Sequence, residues 1–258
     1  MVTLFFLLFL FGTIVGSFLN VCVCRLPKEE SIVWPGSHCP HCNQLIHWYD
    51  NIPLLSFLLL RGKCRFCHKK ISWRYPLIEF IAGLIPVWVV SQKGFGWEAV
   101  IFAILFWGLI IVTSVDFEHQ IIPDEISIGG LILAVLASLL YPSIHGVQEW
   151  FQGGRSALLG AVAGAGSIYA MGEVGRLIFR KEAMGMGDVK LMGMLGALLG
   201  WKQVLLIFFI APFFGAVVGL AVKYLQKTDI IPYGPFLSLA AFVVVFWGDS
   251  ILRYLMRY

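Results

Sequence analysis

The segment from residue 97 to residue 125 reads WEAVIFAILFWGLIIVTSVDFEHQIIPDE. From Ile101 to Val115 it carries no charged side chain, and Asp116 follows directly. With the residues from Trp97 onward, the run approaches the roughly 20 residues a helix needs to cross a hydrocarbon core of about 30 Å. In lipid such a segment must be helical, because its backbone groups find no water to bond. A carboxylate at the edge of a bilayer is expensive, so Asp116 demands an explanation.

The rest of the chain follows the same pattern. Of its 258 residues 59% are apolar and only 13% charged, far from the mix of a water-soluble globular domain. Apolar runs between breakers predict eight spans, near residues 3–23, 77–92, 97–115, 122–141, 156–178, 188–201, 203–224 and 231–252. The sixth is short and holds Gly193, Gly196 and Gly200, which suits a tilted, re-entrant or protein-covered segment. The run from Val2 to Val23 has no basic residue ahead of its apolar stretch and is too long for a secretory h-region, so it reads as the first span. Glycines four apart (Gly12/Gly16, Gly160/Gly164, Gly196/Gly200, Gly215/Gly219) allow close helix approach. The expected fold class is all-α, a polytopic membrane helix bundle of about eight spans with a small insertion. Its organisation is a first span over 1–24, an insertion over 25–76 and a bundle over 77–258.

Alternating the connections sorts the 19 Lys and Arg residues by side. Only Lys93, Arg155, Lys202, Arg253 and Arg257 fall on one side; the other 14 fall opposite, among them Arg25, Arg61, Lys63, Arg74, Lys190 and Lys227. The positive-inside rule then puts both termini outside and the 25–76 connection in the cytosol. The net charge of +4 is small and suggests no nucleic-acid partner.

Within that connection stand Cys39-Pro-His-Cys42 and Cys64-Arg-Phe-Cys67, separated by 21 residues. Paired Cys-x-x-Cys knuckles point to a tetrahedral structural zinc on Cys39, Cys42, Cys64 and Cys67. Disulfides are the competing reading, disfavoured in a reducing compartment. His38, His41 and His68 lie beside the knuckles and read as surface decoration rather than ligands. Cys22 and Cys24 read as small apolar packing at the end of the first span.

The acidic residues near the bilayer divide by their surroundings. Asp116 closes the third span, and Asp188 opens the sixth within Gly185-Met186-Gly187-Asp188, on the same expected side. Helix capping explains an aspartate there, yet not the two flanking glycines, which admit a close backbone or peptide. Asp124 and Glu125, with Pro123 as first helical residue, suit the positive end of a helix dipole. Glu118 and His119 read as a solvated connection, and Glu79 as a partner for an arginine or for substrate. Two carboxylates brought together share one proton, the arrangement of aspartyl-protease chemistry. The 72 positions between Asp116 and Asp188 leave their meeting to the tertiary fold.

Taken in order, these segments resemble the bacterial type IV prepilin peptidases, a branch of the GxGD membrane aspartyl proteases. The resemblance rests on Gly16-Ser17-Phe18-Leu19-Asn20-Val21 with Arg25-Leu26-Pro27, the paired knuckles, and Arg74-Tyr75-Pro76-Leu77-Ile78-Glu79. It continues through Asp116, Ile122-Pro123-Asp124, Gly185-Met186-Gly187-Asp188-Val189-Lys190-Leu191 and Ile231-Pro232-Tyr233-Gly234-Pro235-Phe236. It implies cleavage of a leader from prepilins and pseudopilins at the cytosolic face of a bacterial inner membrane, with Asp116 and Asp188 as catalytic residues. It also implies methylation of the new N-terminus from S-adenosylmethionine, although the chain has no glycine-rich strand-to-helix signature. Two other readings compete: a transporter whose intramembrane acids relay protons, and a membrane scaffold whose zinc module holds a cytosolic partner. No repeated halves support the former.

Overall fold

The computed structural model describes residues 1–180, 184–226 and 232–255, except for the side chains at 179 and 218–226. Lys181, Lys227, Ile231 and Arg257, the side chain of Lys223 and the packing of Gly219 lie outside the described residues. Nine α-helices run through the described chain: α1 (Val2–Arg25), α2 (Leu55–Leu59), α3 (Arg74–Lys93), α4 (Trp97–His119), α5 (Asp124–Leu140), α6 (Trp150–Phe179), α7 (Met186–Leu199), α8 (Trp201–Gln226) and α9 (Gly234–Leu255). All but the short α2 coincide with an expected span.

Among the described residues five segments are long and apolar enough, by length and composition, to cross a bilayer: Val2–Lys28, Arg74–Lys93, Trp97–His119, Trp150–Ile178 and Gly234–Leu255. Helix α8 has 26 residues, and its sequence is apolar from Val204 to Val222. Helix α5 starts at Asp124 and has 17 residues. Helix α7 has only 14, about 21 Å at 1.5 Å per residue. Its sequence is apolar for longer, but the chain leaves the helix at Gly200, whose φ of +84° favours glycine.

Contacts divide the chain into two compact units, Met1–Ile111 and Val112–Tyr258. In the first, α1 lies on α3 through its glycines. A Cβ on Gly12 would come within 2.5 Å of the Ala82 carbonyl oxygen, and one on Gly16 within 2.7 Å of the Glu79 Cα. Where the surrounding lipid is as apolar as the side chains, such close backbone contact is what holds helices together. The indole of Trp107 on α4 donates to the Ala82 carbonyl at 3.0 Å. The Asn20 amide donates to the Tyr75 carbonyl at 3.1 Å.

In the second unit α7 is the core. Every residue from Leu191 to Leu199 is buried, as expected of a helix apolar all round. Its backbone meets α6 at Gly160 and Gly196, where a Cβ on either would overlap the carbonyl of the other. A Cβ on Gly164 would likewise overlap the Met192 carbonyl. Helix α5 packs on α7 as well, where the buried Ser138 hydroxyl donates to the Ala197 carbonyl at 3.1 Å. The paired glycines expected to serve packing do so at Gly12/Gly16, Gly160/Gly164 and Gly196/Gly200, where a Cβ on Gly160 would also come within 3.0 Å of the Gly200 Cα; Gly200 in addition ends the helix.

Because α7 carries Asp188 on its first turn, this packing positions the site. Gly196→Val is expected to destabilise the unit by at least the ~1–3 kcal/mol typical of overpacking. A lowered midpoint of thermal unfolding in detergent, with a matching loss of activity, would be the measured outcome.

Candidate functional site

Asp116 occupies the last turn of α4 and is 6% exposed. Helix α4 runs on to His119, so Glu118 and His119 lie within its last turn rather than in a connection. The Asp116 carboxylate accepts a hydrogen bond at 2.8 Å from the backbone N–H of Gly234, the first residue of α9. No side chain fits between them: a Cβ on Gly234 would stand 2.8 Å from the same carboxylate oxygen.

Asp188 is the third residue of α7, whose N-cap is Gly185 in extended conformation. It is therefore not the N-cap. Its carboxylate turns back to the Gly185 backbone N–H, the acidic half of a capping-box arrangement. Gly187 lets α7 start against Ile122, since a Cβ there would lie 3.0 Å from the Ile122 Cβ. Burial, and after it the negative charge of Asp116, push the Asp188 carboxyl up to about 6. The two aspartates, 72 positions apart in sequence, are thus close enough in space for one to feel the other's charge.

Three neighbours of this pair did not emerge as site residues from the sequence. Tyr233 precedes α9; its hydroxyl is buried and finds no hydrogen-bond partner among the described residues. Burial, and then the charge of Asp188, push its phenol up to about 12, so the group is a neutral donor. Lys190, two residues after Asp188, binds both carboxylate oxygens of Asp124 at 2.7 and 2.9 Å. That pair links the start of α5 to the first turn of α7, and Asp124 is the first residue of α5, with Pro123 as N-cap rather than first helical residue. A glycine followed by a proline at 234–235 is a helix-start signal, but only the fold shows which carboxylate its amide meets.

In the first unit the thiols of Cys39, Cys42, Cys64 and Cys67 all lie within 4.8 Å of one another. The Sγ atoms of Cys39 and Cys67 are 3.9 Å apart, against the ~3.8 Å that tetrahedral Zn–S bonds of about 2.3 Å require. Both knuckles have one local structure. The N–H of Cys39 donates to Gln44 and that of Asn43 to Cys39; the N–H of Cys64 donates to Lys69 and that of His68 to Cys64. Asn43 and His68 hold the equivalent left-handed turn position, each with φ of 55°. The backbone amides of Cys67 and Phe66 push the Cys64 thiol down to about 7, which favours the thiolate a metal needs. This group of four thiols could hold a metal ion, and no histidine joins it among the described residues.

The insertion is fastened to its flanking helices by polar contacts. Arg25, buried at the end of α1, donates to the carbonyls of Ser31, Pro35 and Gly36. Glu79 on α3 accepts the Leu54 N–H at 2.8 Å, so its partner is backbone rather than an arginine. Asp50 pairs with Arg65 through two bonds of 2.5 and 2.6 Å, and that guanidinium holds its carboxyl below the usual carboxylate range. Cys22 is buried as expected, whereas Cys24 accepts a hydrogen bond from Arg74 at 3.0 Å.

Comparison with known proteins agrees with this layout. The model of the bacterial peptidase A24 N-terminal domain matches residues 10–92, and that of the type IV leader peptidase family matches residues 103–220. The prepilin leader peptidase/N-methyltransferase of Stutzerimonas stutzeri is 36% identical over 93% of this chain and 89% of its own length. The protein of that name from Pseudomonas aeruginosa is 35% identical over 96% and 92%. A third, from Myxococcus xanthus, is 40% identical over 83% of this chain and 61% of its own. No solved structure matches. With both family models and relatives aligned along nearly its whole length, this multi-pass membrane chain belongs to the type IV leader peptidase family.

Proposed function

We propose that the protein is a membrane aspartyl endopeptidase that removes the leader of prepilins and pseudopilins, with Asp116 and Asp188 as its catalytic pair, and that it methylates the N-terminus so exposed. The observation that carries the reading is the convergence of two carboxylates from the end of α4 and the start of α7, with Asp188 pushed up to about 6. A pair in which one member is ionised and the other protonated can take a proton from water while polarising the scissile carbonyl. One carboxyl of the pair holds the shared proton and the other supplies the base. Relatives along nearly the full chain carry the name prepilin leader peptidase/N-methyltransferase, which supports the substrate class and the second activity. A substrate with a basic leader ahead of an apolar helix would enter the bilayer and offer its junction at the interface, where water is available.

The working partition is a first span over 1–24, an insertion over 25–76 and the bundle over 77–258. The insertion and both aspartates face the cytosol and both termini the outside of a bacterial inner membrane, a reading supported by the distribution of Lys and Arg. Zinc on the four thiols stabilises the insertion, a reading supported by their mutual separation. Four thiolates leave no open position for a reacting water. S-adenosylmethionine, when bound, supplies the methyl group. A cavity of about 390 Å³ between the insertion and the start of α3 has groups that suit it. Glu79 would face its cationic part, Arg65 or Lys69 its carboxylate, and Phe57 and Tyr75 its apolar surface.

Three outcomes test the proposal. Asp116→Asn and Asp188→Asn should each lower cleavage of a prepilin peptide by about 10²–10⁴-fold, and cleavage that survives in Asp188→Asn would remove the dyad. The active form holds the shared proton, so kcat/KM should fall as pH rises through about 6, the value to which Asp188 is pushed, and a pH–rate series of the purified enzyme reads this directly. Metal analysis should find one zinc per chain. Its chelation, or Cys39→Ser, should lower the unfolding midpoint.

A further inference from the structure

We propose that Tyr233 is a third catalytic group, whose hydroxyl donates a hydrogen bond to the oxygen that becomes negative when water adds to the scissile carbonyl. This inference rests on the aspartyl peptidase reading and extends it to a residue outside the pair.

The argument begins with position. Tyr233 is bonded to Gly234, and the Gly234 N–H is held at 2.8 Å by Asp116. The Tyr233 backbone is therefore fixed beside one aspartate by a single peptide unit. Its phenol lies where the charge of the other aspartate acts on it. The start of α9 thus places one amide on Asp116 and one hydroxyl within the field of Asp188. The Tyr233 carbonyl also accepts the N–H groups of Phe236 and Leu237 at 3.1 and 3.2 Å, so the first turn of α9 anchors the residue.

The second step is the state of the hydroxyl. Its oxygen is buried, with no hydrogen-bond partner among the described residues. Buried hydroxyls are ordinarily paired, and one left unpaired beside reactive groups is explained by a partner that arrives with the ligand. Asp188 and Asp116 each already have a backbone N–H donor, from Gly185 and Gly234. What enters between them is a peptide carbonyl, an acceptor that needs donors. Because the phenol remains protonated until about 12, it acts as a donor and not as a base or nucleophile.

The chemistry balances without any further reactant. The water oxygen bonds to the carbonyl carbon, and its proton passes to the ionised aspartate. The protonated aspartate shares its proton with the carbonyl oxygen, and the Tyr233 hydroxyl donates to that same oxygen. The C–N bond then breaks, the leaving nitrogen takes a proton from the dyad, and one water has been consumed. Tyr233 gives up no proton. A fixed donor aimed at developing charge, shielded from water, lowers the barrier more than it tightens substrate binding.

The test uses the full chain in detergent or nanodiscs with a prepilin peptide, comparing the parent, Tyr233→Phe and Asp188→Asn. Tyr233→Phe is expected to lower kcat by about 10²–10³-fold, the range for loss of one oxyanion donor, with KM within about threefold. Its unfolding midpoint should stay equal or rise, because the hydroxyl removed has no partner in the free protein. It should also weaken a hydroxyethylene transition-state mimic more than an uncleavable substrate analogue. A kcat within about threefold of the parent overturns the proposal. So does a loss of activity that tracks a lowered midpoint, since that marks a structural role. If Asp188→Asn still cleaves, the dyad reading itself has failed, an outcome separate from either result at Tyr233.

Discussion

A carboxylate buried at the end of an apolar helix must find a donor, and the donor Asp116 finds is the backbone N–H of Gly234 at 2.8 Å. That bond ties the last turn of α4 to the first turn of α9 across 118 positions. It explains why a glycine stands there, since any Cβ would collide with the carboxylate it serves. It also brings Tyr233 beside Asp116. Desolvation thus selects the partners of the acid and, through them, the geometry of the site.

The second aspartate depends on a different constraint. Asp188 is carried by a helix of 14 residues, short for a membrane span yet buried from Leu191 to Leu199. Its support is close backbone packing: Gly160 and Gly164 of α6 meet Gly196 and Met192 of α7. The ion pair of Lys190 with Asp124 adds little stability at an exposed position, but it orients the turn that holds Asp188. A short helix wedged among longer ones gives its first turn a set depth, and a reacting carboxylate needs that more than it needs length.

The N-terminal unit solves a separate problem. The residues between α1 and α3 have little regular structure, only the five-residue α2 and short 3-10 turns. Two knuckles of the same local form hold four thiols within 4.8 Å. Arg25 and Glu79 then fasten the insertion to the helices on either side. A segment this poor in apolar core is the kind that gains its folding energy from a metal.

Composition, apolar runs and Cys-x-x-Cys spacing were enough to give an all-helical membrane chain, the position of nearly every helix and the four-thiol cluster, and they singled out the two aspartates as candidates. These signals are local: a run of apolar residues, a Cys-x-x-Cys spacing, an acid where lipid makes acids costly. The burial of α7 was not legible, because an apolar run does not reveal where Gly200 ends the helix or that neighbouring helices cover it. Nor was the bond from the Gly234 amide that sets Tyr233 beside Asp116, the pairing of Lys190 with Asp124, or the backbone partner of Glu79. Each of these depends on residues dozens of positions apart being brought within about 3 Å, and hydrogen bonds at that range are decided by the packing of helices against one another.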